Sequence, residues 1–314
     1  MRLAVIGAGG VGGYFGALLA RQGHSVAFVA RGAHLAAMQQ HGLRVRSLHG
    51  DFVISPLIAA SDARAIGPVD YAIVAVKRFD LESALEQLPP LLGPSTTVVP
   101  LLNAVDAHEV LASSVGTERV VGGSCSIVAR LGDPGEVIQE SRVRRVVIGE
   151  LDGSVSRRVT QLQAAWADAG AEAIASRQIL ADLWEKFAYI ASFGGLTALA
   201  DVQAGQLLSE PALRQLFLRA MSEVETVAHA RGIALPEDLI ARNLALAETL
   251  EPASTTSMQR DVAAGKQFEL EAFSGTVVRL ARALGLDVPI HLAVYALLRP
   301  RLAAALRAGG DAVA

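Results

Sequence analysis

The sequence holds one cysteine, Cys125. A lone thiol excludes an internal disulfide and leaves no thiolate cluster for a metal. The seven histidines are scattered without ligand spacing, so no metal centre is expected. Excess charge is missing too: 28 Lys and Arg stand against 31 Asp and Glu, for a net charge of −3. That balance gives no electrostatic case for nucleic acid or an anionic membrane as partner. After the first helix, no uncharged run is both long enough and free of proline and polar residues to span a bilayer. Neither a repeat nor a low-complexity linker interrupts the chain. What remains is 314 residues, 52% hydrophobic and 19% charged, the composition of a compact protein with one large or two ordinary domains. A cytoplasmic globular protein is expected.

Acidic residues are also missing from the start of the chain, where none occurs between Met1 and Asp51. Arg2 to Ile6 is an apolar run too short for a helix and reads as a buried strand. It enters Gly7-Ala8-Gly9-Gly10-Val11-Gly12, a G-x-G-x-x-G stretch. Helical character follows from Tyr14 to Gln22, Gly23 stops it, and Ser25 to Val29 reads as a second strand. Strand, glycine turn, helix and strand in about thirty residues form the context that makes the pattern a dinucleotide fingerprint. Gly7 serves the tight turn, Gly9 close backbone approach to a pyrophosphate, and Gly12 close packing of helix on strand. The helix N-terminus adds unpaired amides and a positive dipole end. The uncharged stretch Leu3 to Ala20 is not read as a secretory signal, because it holds six glycines and no convincing cleavage site follows.

The end of the second strand bears on the choice of cofactor. An acid there would hydrogen-bond a ribose 2′-hydroxyl, whereas a 2′-phosphate needs a cation. Ala30 stands where the acid would be and Arg31 follows, which favours NADP(H) through paired charge-assisted bonds.

Further on, Gly42 to Ser55 alternates as a β-hairpin should. Val69 to Val76 is a strand covered on both faces, ending at Lys77. A helix is expected from about Leu81 to Leu88, a strand from Thr96 to Leu102 ending at Asn103, and a helix from Asp106 to Ser113. Strands at Arg119 to Arg130, Glu136 to Gln139 and Arg142 to Ile148 precede a helix near Ser156 to Ala167 and a strand near Ala171 to Ala175. Alternating strands and helices predict an α/β doubly wound parallel sheet of Rossmann type. Ligands of such sheets sit outside the strands' carboxyl ends, which makes Lys77 and Asn103 candidates by location. After Arg177 helical periodicity takes over: Leu180 to Ala200, Gln203 to Leu208, Pro211 to Arg231, Pro236 to Leu250, and two or three more to Leu306. The chain therefore divides into residues 1–176, an NADP(H)-binding domain, and 177–314, an all-α substrate and catalytic domain. A frayed tail is expected over Ala303 to Ala314.

In the helical half Lys186 precedes fourteen residues without a charge. A lysine at the edge of such an apolar helix either snorkels to solvent or points into a cleft as a proton donor to a reducible carbonyl. Ser254 to Ser257 is a polar capping cluster before a short helix that Gly265 breaks. Glu269 and Glu271 open the next helix, where acids suit the dipole.

The run Val5 to Gly12, Arg31, Val76-Lys77, Asn103, Lys186, and Ser257-Met258 with Glu269 twelve residues after the serine resemble the ketopantoate reductases (2-dehydropantoate 2-reductases) along nearly the whole chain. The resemblance implies NADPH-dependent reduction of a 2-oxo acid in the pantothenate route to coenzyme A. It implies Lys186 as general acid, Glu269 as its partner and substrate-orienting acid, and Ser257 as a ligand of the substrate carboxylate. Asn103 would contact substrate or nicotinamide, and Lys77 would lie beside the cofactor. This chain departs from the family in reading Leu102-Asn103-Ala104 for Gln-Asn-Gly. It also carries Ile190 and Gly194 where members place asparagines, four and eight residues after the lysine. Tyr189 and Thr197, on roughly the same helical face, are candidates to replace the lost amides. Two other readings stay open: reduction of a different 2-oxo acid, and an NADP(H)-binding sensor without turnover. A sensor has no need of Lys186, Ser257 and Glu269 together. The apolar helices leave both a monomer core and a homodimer face open.

Overall fold

The computed structural model describes residues 1–311. By internal contacts the chain forms two compact units, the first Met1–Leu102 with Asp106–Ile179, the second Asn103–Val105 with Leu180 onward.

The first unit opens with strand β1 (Arg2–Ile6), helix α1 (Gly10–Arg21), β2 (Ser25–Val29), α2 (Gly32–His41), β3 (Leu43–Ser47), β4 (Phe52–Ile54) and β5 (Ile58–Ala60). It continues through β6 (Val69–Val74), α3 (Leu81–Leu85), β7 (Leu92–Pro100), α4 (Ala107–Val115), β8 (Gly122–Leu131), β9 (Glu136–Gly149), α5 (Arg157–Asp168) and β10 (Glu172–Ala175). Five strands in the order β5-β2-β1-β6-β7 make a wholly parallel sheet. The order turns back between β1 and β6, so their carboxyl ends mark the switch point where such sheets bind ligands. A second sheet runs β10-β9-β3-β4, with β8 antiparallel to β9.

One core joins both sheets. Phe15 of α1, Phe28 of β2 and Trp166 of α5 are fully buried within it. Trp166 meets the Phe15 ring edge-on, centroids 6.2 Å apart, and its indole N–H donates to the Phe15 carbonyl at 3.3 Å. That donor would otherwise be buried without a partner.

Two elements here escaped the sequence reading. Helix α2 buries only Met38, so its sequence carries little apolar periodicity. Strand β5 has three residues. In a third departure, the expected strands at Glu136 to Gln139 and Arg142 to Ile148 are one strand, β9. The polar stretch between them is a bulge held by Ser141. The Ser141 hydroxyl donates to the Val143 carbonyl at 2.6 Å and accepts the Val128 amide of β8 at 2.9 Å. The β8–β9 register shifts at this point, between Ile127 and Ala129.

The second unit is helical: α6 (Ile179–Ala200), α7 (Ala204–Ser209), α8 (Pro211–Ala230), α9 (Leu239–Glu248), α10 (Ser257–Ala263), α11 (Thr276–Leu284) and α12 (Pro289–Asp311). Every residue of α6 from Ala191 to Ala198 is buried, as an unbroken apolar helix must be. Between α10 and α11 the chain makes a π-helical turn, Glu271–Gly275, where the expected helix would have opened regularly. It docks on α6 through two glycines. A side chain at Gly194 would meet the Phe273 ring at 3.5 Å, and one at Gly195 would meet Val294 of α12 at 3.0 Å and the Ser274 hydroxyl at 3.4 Å.

The same region holds a buried imidazole. His291 of α12 takes the Ser274 hydroxyl at Nδ1, 3.2 Å, and donates from Nε2 to the Ala220 carbonyl of α8 at 3.1 Å. Burial drives its pKa down to about 4. Glu223 of α8 accepts the amides of Ile290 and His291 at 2.8 and 2.9 Å, placing a carboxylate at the N-terminus of α12.

The tail expected to fray from Ala303 is helix as far as Asp311, and its last residues, 312–314, lie outside the described ones. Among the described residues no helix is long and apolar enough to cross a membrane.

Candidate functional site

In the first unit the glycine turn leaves β1 at the switch point. Gly7 has φ +95°, a conformation that favours glycine, and a Cβ there would stand 2.8 Å from both the Ala75 carbonyl oxygen and Val76 Cγ1, just beyond β6. A Cβ on Gly12 would run into the Gly7 carbonyl and lie 2.9 Å from Val5 Cγ1 and from Ala75 Cβ. Gly12 thus permits the close seating of α1 on β1. Gly9 differs, because nothing lies within 4 Å of where its Cβ would be. Gly9 caps α1 without a side chain, and the first helical bond runs from Gly13 N to Gly9 O at 2.7 Å. The amides of Gly10, Val11 and Gly12 precede that bond, and no acid stands in the first turn. A pyrophosphate fits this open, amide-rich cradle. Ala8 is buried behind it.

Arg31 is the N-cap residue of α2, and its guanidinium donates to the Ser83 hydroxyl at 2.6 Å. Lys77 lies just past β6, at the head of a short turn in which the Asp80 amide reaches the Lys77 carbonyl at 2.9 Å. Burial raises the Asp80 carboxyl above its usual range, while Arg31 and then Lys77 pull it the other way. The loop after β2 is free of carboxylates in sequence, yet the fold brings Asp80 within electrostatic reach of Arg31. That acid stands 49 positions further along the chain, and no local pattern could have pointed to it.

A histidine passed over in the sequence also touches the glycine turn. His34 of α2 donates from Nε2 to the Ala8 carbonyl at 3.0 Å and accepts the Gly135 amide at Nδ1, also 3.0 Å. Burial lowers its pKa. The available signal was position, since His34 stands one turn beyond Arg31 on the helix that follows β2.

In the second unit the Lys186 ammonium donates to Asn103 Oδ1 at 2.9 Å. Asn103 lies beyond the end of β7 but belongs by its contacts to the helical unit, so 83 residues of separation close into one hydrogen bond. Glu269 is only 3% exposed and lies two residues before the π-helical turn, its carbonyl accepting the Phe273 amide at 3.1 Å. A carboxylate so buried is kept only in polar company, and Glu269 is engaged. Ser257 is the first residue of α10. The capping is done by Thr256, whose hydroxyl accepts the Gln259 amide at 3.1 Å.

The two proposed replacements for the lost amides fare differently. Thr197 is buried and turned back on its own helix, donating to the Phe193 carbonyl at 2.8 Å, with Thr256 Oγ1 at 3.3 Å. This corrects the expectation that it could stand in for an amide, because a threonine inside a helix satisfies its hydroxyl one turn back. The Tyr189 ring stacks on Phe193, centroids 5.3 Å apart, and meets the edge of Phe217 of α8 at 6.2 Å. Burial pushes its hydroxyl pKa up to about 12. Gly194 is the seat of Phe273, with Met258 Cβ 3.9 Å from the same point. The second lost amide is thus replaced by aromatic packing.

Comparisons with known proteins agree with this architecture. Residues 3–153 match the family model described as ketopantoate reductase PanE/ApbA, and residues 178–302 match the model of its C-terminal part. The chain is 32% identical over 320 residues to 2-dehydropantoate 2-reductase of Mesorhizobium japonicum, covering 95% of this chain and 97% of that protein. It is 31% identical over 297 residues to the uncharacterized oxidoreductase YkpB of Bacillus subtilis, covering 94% and 97%. Among solved structures, a PanE/ApbA family ketopantoate reductase from Ralstonia eutropha superposes with a TM-score of 0.89 at 30% identity, over 98% of this chain and 100% of that one.

Proposed function

This chain belongs to the ketopantoate reductase family, oxidoreductases that use a nicotinamide cofactor, and from that premise we propose that it reduces 2-dehydropantoate to pantoate with NADPH. The product would enter the pantothenate route to coenzyme A. The observation that carries the reading is the Lys186–Asn103 hydrogen bond of 2.9 Å, on a helix whose next fourteen residues hold no charge.

When bound, the reduced nicotinamide supplies a hydride to the C2 carbonyl carbon. Negative charge then builds on the carbonyl oxygen, and the Lys186 ammonium stabilises it and donates the proton from Nζ. Asn103 suits this arrangement because a neutral amide oxygen fixes the ammonium without cancelling its charge. Glu269, buried just ahead of the π-helical turn, would orient lysine and substrate. Ser257 offers a hydroxyl to the substrate carboxylate. The amides of Gly10, Val11 and Gly12 would take the pyrophosphate, with Arg31 on the 2′-phosphate and Lys77 beside the dinucleotide.

One observation favours a second substrate. Phe273 fills the space beside Gly194, and Ile190 stands one turn from Lys186, so this face of α6 offers hydrocarbon. That suits a 2-oxo acid without ketopantoate's hydroxyl group. The test is NADPH oxidation, followed by absorbance, with ketopantoate beside a panel of 2-oxo acids. Efficient turnover of ketopantoate upholds the first reading. Turnover of another 2-oxo acid alone keeps the mechanism and moves the substrate, and NADPH binding without turnover makes the chain a sensor.

A further inference from the structure

We propose that His34 is a positioning residue for the dinucleotide site, holding the glycine turn, helix α2 and the β8–β9 turn in one register through its two ring nitrogens. The inference rests on the cofactor reading above and concerns its geometry.

The imidazole joins three segments that are far apart in sequence. Its Nε2 reaches Ala8 in the glycine turn, and its Nδ1 takes the amide of Gly135 between β8 and β9, each at 3.0 Å. A nitrogen that accepts from a backbone N–H carries no proton, so the proton sits on Nε2 and the ring is the neutral tautomer. Gly135 is itself fixed on its other side, where its carbonyl accepts the Arg44 amide of β3 at 2.9 Å. It has φ +82°, and a Cβ there would meet Ala37 of α2 at 3.0 Å, so the turn lies directly on that helix. The glycine turn is also crowded by β8, since a Cβ on Gly10 would stand 2.6 Å from the Ala129 carbonyl carbon and 2.8 Å from the Arg130 nitrogen. Backbone therefore confines the start of α1 from β8, and His34 ties Ala8, two residues earlier, to α2.

This arrangement matters because Arg31 is the N-cap of α2. The Leu35 amide reaches the Arg31 carbonyl at 3.3 Å, so Arg31 and His34 share the first turn of one helix. A hydrogen bond from that turn to Ala8 sets the spacing between the amide cradle and the guanidinium. In the cofactor reading, that is the spacing between pyrophosphate and 2′-phosphate. Glycine turns are soft, and the side chains of this one, Ala8 and Val11, carry no polar group that could hydrogen-bond it in place.

The test is equilibrium binding of NADPH and NADH to the full chain, read by nucleotide fluorescence, with circular dichroism and melting temperature recorded for each variant. His34→Ala removes both hydrogen bonds. Two bonds of ordinary strength correspond to about a tenfold change in affinity, expected for both nucleotides, with a further loss of preference between them as Arg31 loses its register. His34→Gln, whose amide can donate to Ala8 and accept from Gly135, is expected to restore most of the affinity. A merely structural role would lower the melting temperature of both variants without this pattern of loss and rescue. Should the alanine variant not fold, His34→Phe keeps the ring volume, lacks both bonds and carries the same comparison. Nucleotide affinities unchanged in folded His34→Ala, or a glutamine no better than alanine, would overturn the inference. A wild-type chain that binds neither nucleotide would overturn the cofactor reading itself.

Discussion

The two candidate sites in this chain are built from different materials. The cradle after β1 is made of backbone: amides, a carbonyl and missing side chains, contained in six consecutive residues, Gly7 to Gly12. The candidate site at α6 rests on side chains from separate segments, the Lys186 ammonium bonded to the Asn103 amide, with the Ser257 hydroxyl and the Glu269 carboxylate proposed to join them. A backbone site needs glycine at fixed spacing, since a Cβ at Gly7 or Gly12 would collide with neighbours under 3 Å away. A side-chain site needs only that folding bring the right groups together. The first kind constrains local sequence strongly and the second hardly at all.

The sharpest test of this contrast is Lys186→Ala. Loss of a general acid typically lowers turnover by about 10²–10⁴-fold, and NADPH affinity should hold, since no backbone amide of the cradle changes. Single-turnover kinetics beside a binding titration would check this, and a parallel loss of binding would show that the two sites are not separable.

Next in size is a pH effect confined to the helical unit. His291 titrates near 6.5 when unfolded and at about 4 when folded, so the folded state resists taking the proton. Stability contributed by the neutral ring is intact above about pH 6.5 and falls as pH drops toward 4, by about 3 kcal/mol in full. Urea unfolding at pH 7 and pH 4.5 should show a shallower loss for His291→Asn than for wild type. Equal slopes would mean that the buried Ser274–His291 pair is not what makes this unit acid-sensitive.

Arg31→Ala should weaken NADPH by about tenfold or more while leaving NADH almost unchanged, the weight of one charged hydrogen-bonding group. Equal losses for both nucleotides would remove Arg31 from the 2′-phosphate. The smallest effect is expected of Tyr189→Phe. With its ring held by Phe193 and Phe217, turnover should change by no more than about threefold if the tyrosine only packs. A larger rise in KM for the 2-oxo acid would make its hydroxyl a substrate contact after all.

Much of the fold was legible because it follows from local rules. Arg2–Ile6 and Ser25–Val29 are the strands expected from their apolar runs, and the Leu43–Ser47 and Phe52–Ile54 hairpin follows from alternation. Ser156 caps α5, its hydroxyl accepting the Val159 amide at 3.2 Å. What escaped had weak patterns or remote causes. Helix α2 shows one buried residue, and the π-helical turn places Phe273 and Ser274 beside Gly194 and Gly195, neighbours about 80 positions away in sequence. The Ser141 bulge imitates a turn because both need a polar residue to interrupt the alternation.

By itself the sequence determined the strand–turn–helix–strand unit, the glycine positions within it and the change to helices after Arg177, since each depends on backbone geometry or short-range periodicity. Tertiary structure alone decided that Lys186 meets Asn103, that Asp80 comes within reach of Arg31, that Phe273 settles on Gly194, and that His34 ties Ala8 to Gly135. Those contacts join residues up to about a hundred positions apart, and no sequence window holds both partners. Packing chooses among such pairings by fit and by the cost of leaving a buried polar group alone, and both are properties of the folded whole.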